Sequence, residues 1–299
     1  MFENDLQEFL KITLEKGFAG HSLFVQQRAA DHFETWKQGA DQGNPAAQYF
    51  VGLCHNYEWI QRLDPAEALK YFKLSAEQGF APAQAQLALH FEEGAQIKDD
   101  MEDALRWYTR SAEAGFFLAQ YRLGWMYEGG RGVTQDLGLA LHWYRLAAEQ
   151  SFVTAQFNLA RMFEDGRGTA ADIVEAAHWY RQAAEKGYAP AQYAWGHLHE
   201  LGRGALQNDP EAFKWYTKAA EQNNEAAMHS LAWMCEEGRG VERDYLVAAK
   251  WYLKAAERGY AMSQNNLGWM YQQGKGLPCD DVQAVRWYRE GAERGYRTA

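Results

Sequence analysis

Residues 141–150 read LHWYRLAAEQ, and the phrase returns as AHWYRQAAEK at 177–186, FKWYTKAAEQ at 213–222 and AKWYLKAAER at 249–258. One active site needs one set of groups, so a phrase written this often reads as a structural joint. Around it, Trp107, Trp143, Trp179, Trp215, Trp251 and Trp287 stand at a constant step of 36, with Tyr71 one step earlier. The next column is Trp36, Phe72, Tyr108, Tyr144, Tyr180, Tyr216, Tyr252 and Tyr288. Four residues on, an alanine column runs from Ala40 through Ala76 and Ala112 to Ala292. No insertion breaks the register, which gives seven full units from about residue 44 after a half-unit. A fixed period of this size is the signature of a stacked repeat array.

Each unit reads as two helices. Helix A is typified by AQYRLGWMYEG at 119–129, where Ala119, Leu123, Met126 and Tyr127 recur at helical spacing. A column without bulk (Gly52, Ala88, Gly124, Ala160, Gly196, Ala232, Gly268) lets a neighbouring helix come close. Helix A is expected to stop at Gly94, Gly130, Gly166, Gly202, Gly238 or Gly274, residues that enter the left-handed region. Helix B is expected to start at Asp64, Asp100, Asp136, Asp172, Asn208, Asp244 or Asp280, because these side chains accept a free backbone N–H. Pro65 takes the first helical position, and Glu67, Glu175 and Glu211 stand three residues after their caps. The Trp-Tyr-x-x-Ala-Ala phrase then lies on helix B. Its aromatic bulk and alanine gaps form the face that packs on helix A and on the next unit.

Composition bounds the rest. Hydrophobic residues make up 47% of the 299 and aromatics 15%, enough for a large core. The net charge of −10 argues against nonspecific nucleic-acid binding, which needs cations at phosphates. Cys54, Cys235 and Cys279 match no zinc or CxxC spacing and read as reduced thiols. The start, MFENDLQEFLKITLEKGF, has acids where a signal peptide needs positive charge, and no 18-residue apolar stretch occurs. A cytoplasmic location without a membrane span is expected.

The pattern A-x-x-x-L-G-x-M-Y-x-x-G-x-G-V…D…A-x-x-W-Y-x-x-A-A-E-x-G resembles the Sel-one-like repeat (SLR) family, relatives of the tetratricopeptide repeats. Unit three carries it nearly whole, from Ala119 to Val133, then Asp136, Ala140, Trp143, Tyr144, Ala147 and Ala148. The resemblance covers residues 44–298. It implies an all-α, right-handed α/α superhelical solenoid of seven 36-residue helix-turn-helix repeats, acting as a protein-interaction scaffold and common in bacteria. The expected organisation is an N-terminal helical cap over 1–43, including the half-repeat, and one continuous solenoid over 44–299. Units one and two depart from the pattern at Asn56-Tyr57-Glu58-Trp59 and Gly94-Ala95-Gln96, so reshaped loops are expected there. Residues 1–30 match nothing in the repeat and are expected to form one or two helices over the first unit's open face. Ala299 falls in the Ala119 column, where another helix A would begin. Either the chain is truncated, or its last helix B stays exposed, or that helix docks end to end on another copy.

In the related tetratricopeptide fold, helix A lines the concave groove. Carried over, the groove columns are those of Tyr121, Trp125 and Glu128. The first two vary from unit to unit while core columns do not, which marks Tyr121, Trp125, Phe157, Arg161, Tyr193, His197, His229, Trp233, Asn265 and Trp269 as candidate ligand-binding residues. Large aromatics beside acids suit a protein or peptide with hydrophobic anchors and Lys or Arg; packing at a tight inner radius is the other reading. Glu92, Glu128, Glu164, Glu200 and Glu236 form either an acidic ridge or, the favoured reading, local pairs with loop Arg131, Arg167, Arg203 and Arg239 of the same unit. A second acidic column, Glu77 to Glu293, ends helix B against its dipole, so a bond to a neighbouring element is expected.

Catalytic patterns are missing. His197 and His199 sit two apart in HLHE, which is not HExxH, the GRG turns lack a P-loop context, and no GxSxG occurs. The reading is a non-enzymatic adaptor without cofactor or metal that binds a protein or peptide in its concave groove. The alternative, by family analogy, is a bacterial immunity protein that holds one cognate toxin one to one.

Overall fold

A computed structural model of the chain describes residues 2–57, 64–94 and 98–295. The regular structure of the described residues is sixteen α-helices and no strand. They fall into two compact units, residues 1–171 and 172–299. The first holds α1 (Phe2–Lys16), α2 (Ala19–Asp41), α3 (Pro45–Asn56), α4 (Pro65–Glu77), α5 (Ala81–Gly94), α6 (Lys98–Glu113), α7 (Phe117–Gly129), α8 (Leu137–Glu149) and α9 (Val153–Asp165). The second holds α10 (Ile173–Glu185), α11 (Ala189–Leu201), α12 (Asp209–Glu221), α13 (Glu225–Glu237), α14 (Tyr245–Glu257), α15 (Ala261–Gln273) and α16 (Asp281–Glu293). From α3 onward, odd numbers are helices A and even numbers helices B.

The caps explain where the helices begin and end. Asp64, Asp136, Asp172, Asn208, Asp244 and Asp280 each accept a backbone N–H of the first turn of their helix B. Asp100 does not mark the start of its helix: α6 already begins at Lys98. Gly130, Gly166, Gly202, Gly238 and Gly274 close helices A in the left-handed conformation. Gly94 instead lies within α5. The loops expected to be reshaped fall largely at 58–63 and 95–97, outside the described residues, as does Ala299.

The core is built on the second aromatic column. Trp36, Tyr108, Tyr144, Tyr216 and Tyr252 are fully buried, and Phe72 and Tyr180 nearly so. Phe72, Tyr144 and Tyr216 pack where the facing helix A carries glycine: a Cβ added to Gly124 would lie 2.6 Å from the Tyr144 ring. The tryptophan column is less enclosed than its bulk suggests. Trp107, Trp143 and Trp251 are half-buried, and the Trp107, Trp215 and Trp251 rings carry Arg110, Lys218 and Lys254. These cations sit three residues on along the same helix, so they shield the rings while keeping their charge in water.

Glutamine holds successive helices together. Gln48, Gln84, Gln120, Gln156, Gln192 and Gln264 are buried, and each Nε2 donates to the carbonyl eight residues earlier, at Ala40, Ala76, Ala112, Ala148, Ala184 and Ala256. Those carbonyls belong to the last turn of the preceding helix, where each also accepts the backbone N–H three residues on, so the glutamine supplies a second donor. The second acidic column needs no such partner. Glu77, Glu113, Glu149, Glu185, Glu221, Glu257 and Glu293 are all exposed, and Glu185 and Glu293 pair with Arg181 and Arg289 of their own helices. Contact with water answers the helix dipole there, against the expectation of a bond to a neighbouring element.

Residues 2–30 hold α1 and the first half of α2. Asp5, 3% exposed, accepts from the Trp36 indole at 2.9 Å and lies 2.9 Å from His32 Nδ1. Phe9 packs edge-on against Phe24 and Tyr49. His21 is buried with its Nδ1 3.1 Å from Gln86 Oε1, and burial lowers its pKa to about 3. Phe18 lies on the Arg122 guanidinium. The N-terminal segment thus touches α3, α5 and α7 in turn.

Candidate ligand-binding face

The columns singled out for binding separate into two populations. In repeats one and two they are closed: Tyr49, Leu53, Ala85 and Leu89 are buried, with Phe9 and His21 against Tyr49. From repeat three on they are open or half-open. Tyr121, Trp125, Phe157, Tyr193, His197, His229, Trp233, Asn265 and Trp269 are half-buried, and Arg161 is exposed.

Column one is partly a packing column. Tyr121 contacts Tyr144 and Phe152, Tyr193 contacts Tyr216, and His229 contacts Tyr252 and Tyr260. Each sits between the helix-B tyrosine of its own repeat and, in two cases, the aromatic residue that starts the next helix A. His229 Nδ1 also lies 3.0 Å from Ser263 Oγ, and burial lowers its pKa to about 4. The unfolded histidine, near 6.5, takes up its proton first as pH falls. Its contribution to stability is therefore present above about 6.5 and is lost as pH falls towards 4. Replacing His229 with Asn, which this column carries at Asn265, is expected to remove up to about 1.4 kcal/mol per pH unit from the acid slope in that window. Urea denaturation of both chains across the window measures the difference.

Column two carries its own cations. The Arg131 guanidinium lies 3.6 Å from the Trp125 ring centre, Arg239 4.9 Å from Trp233, and Lys275 4.4 Å from Trp269. Each comes from the loop that follows the same helix A. Arg131 Nη1 also donates to the Trp125 carbonyl at 3.1 Å.

Column three is a ladder of bonds rather than a ridge of open charge. The tyrosine of the repeated phrase donates its hydroxyl to the glutamate 16 residues earlier: Tyr108 to Glu92, Tyr144 to Glu128, Tyr216 to Glu200 and Tyr252 to Glu236, at 2.6–2.9 Å. Burial and this bonded carboxylate push the Tyr144 and Tyr216 hydroxyls far above their ordinary pKa. The arginine partner comes from the following repeat and not, as the sequence suggested, from the same unit. Arg167 reaches Glu128 at 2.5 Å, and Arg239 reaches both Glu200 and Asp209. Arg131 is stacked on Trp125 instead. Tyr144→Phe should cost about 1–2 kcal/mol, the range for a hydrogen bond to a charged group that keeps some water. Tyr288→Phe should cost much less, because half-buried Tyr288 bonds only to neutral Gln272. Paired denaturation curves distinguish the two.

The HLHE patch is dispersed. His197 stacks on Tyr193, His199 packs on Trp195 with its Nδ1 3.0 Å from the Leu206 carbonyl, and Glu200 belongs to the ladder. Among the described residues, no group of three or more His, Cys, Asp or Glu is placed to hold a metal ion. Nor is any described helix long and apolar enough to cross a membrane.

Comparison with known proteins fits this geometry. The protective antigen c5321 of uropathogenic Escherichia coli, which has an SLR fold, is 33% identical with a TM-score of 0.81. The match covers 88% of this chain and 56% of that one, so the chain spans little more than half the length of that protein. A Sel1 repeat protein from Oxalobacter formigenes is 34% identical with a TM-score of 0.66, over 71% of this chain and 86% of that one. The immunity protein Pa5087 of Pseudomonas aeruginosa, at 18% identity and a TM-score of 0.42 over 72% of this chain and 81% of its own, is too distant to bear on function. No curated protein matches. The Sel1 repeat profile matches seven consecutive segments, 45–80, 81–116, 118–152, 153–188, 189–224, 225–260 and 261–296, and the chain belongs to the Sel1 repeat family.

Proposed function

We propose that the chain is a protein-interaction scaffold that binds a protein or peptide on its helix-A face, through Tyr121, Trp125, Phe157 and Arg161 in the first unit and Tyr193, His197, His229, Trp233, Asn265 and Trp269 in the second. One observation carries the reading. The same columns are buried in repeats one and two, where Phe9 and His21 of the N-terminal segment pack on Tyr49, and stand half-open with large aromatic residues in the later repeats. Half-open tryptophans ringed by polar groups are what binding anchors on such scaffolds require. The role is adaptor-like, with selectivity set by side chains that differ from repeat to repeat. It needs no catalytic group.

A photo-crosslinking amino acid placed at Trp125, at Trp233, or at Val174 on helix B (67% exposed) tests this in cells of the source organism. Adducts from the first two positions but not from Val174 are expected. Adducts from Val174 alone would move the binding site off the helix-A face. One adduct, formed at equal stoichiometry, would favour a dedicated inhibitor of one partner, whereas several would favour an adaptor.

A further inference from the structure

The half-open face of repeats three and four keeps charge of one sign only. In the first unit the ladder carboxylates are engaged: Glu92 by Tyr108 and Arg122, Glu128 by Tyr144 and Arg167, and Glu164 is not free either. Two of the face's four arginines, Arg122 and Arg167, are neutralised by these contacts. The other two are not. Arg131 is exposed and lies on Trp125, and Arg161 is exposed in the same column one repeat later. Neither makes an ion pair among the described residues. Glu93 and Asp165, one position beyond the ladder, are the exposed acids nearest in sequence on α5 and α9.

We propose that this face takes an acidic peptide segment with an aromatic anchor, its carboxylates held by Arg131 and Arg161 and its ring against Trp125. The inference rests on the binding face proposed above and gives its ligand a charge, opposite to the Lys- or Arg-bearing ligand that the glutamate column suggests in sequence. A guanidinium stacked on tryptophan keeps in-plane N–H donors along its edge. That edge fits a carboxylate in two-pronged fashion, and the stack restrains the side chain before the ligand arrives. The chain already uses the aromatic half of this recognition. Phe18, in the turn between α1 and α2, sits 5.3 Å from the Arg122 guanidinium, which in turn lies 5.7 Å from the Trp125 ring. A ligand ring against the edge of Trp125 would sit beside this row of alternating rings and guanidinium groups. The net charge of −10 repels such a ligand at long range, so its selection depends on these contacts at short range.

The test is to pan a random dodecapeptide phage library against the whole chain, Arg161→Glu and Trp125→Ala. Asp or Glu next to an aromatic residue should be enriched on the native protein. A synthetic peptide of the selected sequence should bind Arg161→Glu about tenfold or more weakly. Its Lys-for-Asp counterpart should regain affinity on that variant. Arg161 is exposed, so the substitution leaves the fold intact, and a matching unfolding curve confirms it. Enrichment of Lys and Arg, no charge bias, no enrichment, or indifference to Arg161→Glu each overturn the proposal. Unbiased peptides that are still lost on Trp125→Ala would remove the acidic ligand and leave the binding face standing; the crosslinking experiment judges that face independently.

Discussion

Replacing Trp36 with alanine is expected to cost about 3–5 kcal/mol and to loosen α1 from α2. The ring is fully buried, stacked on Phe24 and in contact with Phe50. It occupies the column of the core tyrosines, but its polar tip is answered differently. Tyr144 and its equivalents donate to a glutamate of helix A, whereas the Trp36 indole donates to Asp5 of α1. Truncation therefore opens a cavity and also leaves a buried carboxylate with His32 as its remaining partner. Amide exchange in α1 should accelerate before that of α7 or α8. Trp143→Ala, at a half-buried position, should cost clearly less and leave α1 protection unchanged.

Gly168→Ala is expected to lower stability by about 3 kcal/mol, and Gly132→Ala by about 1–2 kcal/mol. Both glycines are the second of a loop pair, and both have left-handed backbones, φ +74° and +68°. Each pays the conformational cost of a side chain there. They differ in what a new Cβ would meet. At Gly168 it would lie 2.3 Å from the Leu137 carbonyl oxygen of α8, a backbone atom fixed by the helix. At Gly132 the nearest atoms are Met101 Cβ at 3.0 Å and its mobile Cε at 3.1 Å, so a shift of a few tenths of an ångström relieves the contact. The loop of one repeat is thus seated on the first turn of the preceding helix B. Chemical denaturation of the two variants beside the native protein reads the gap directly. Equal losses would show that backbone conformation alone sets the requirement for glycine.

The helices were legible because local signals agreed with the 36-residue register. Acidic caps marked where most helices B begin, and left-handed glycines marked where most helices A end. The signal failed where one of them stood alone: Asp100 has the identity of a cap, but α6 starts before it. Pairing was harder to read. Arg131 lies close to Glu128 in sequence, yet Glu128 takes its arginine from Arg167, because the loop projects back over the preceding repeat. Spacing along one chain cannot reveal a contact between repeats. The buried glutamine column was visible as Gln48, Gln84, Gln120, Gln156, Gln192 and Gln264, though nothing in the residue type named its acceptor carbonyl. The candidate face was half legible. Variation from unit to unit picked out the columns, but Phe9 and His21, which close on Tyr49, come from a segment with no counterpart in the repeat.

The seat of the N-terminal segment has a consequence for the order of events on the ribosome. Phe9, Phe18 and His21 emerge first, but their partners Tyr49, Gln86 and Arg122 are translated progressively later. A nascent chain that has not reached Arg122 carries Phe18 without its landing place, and α1 must stay undocked or be shielded while repeats two and three are made.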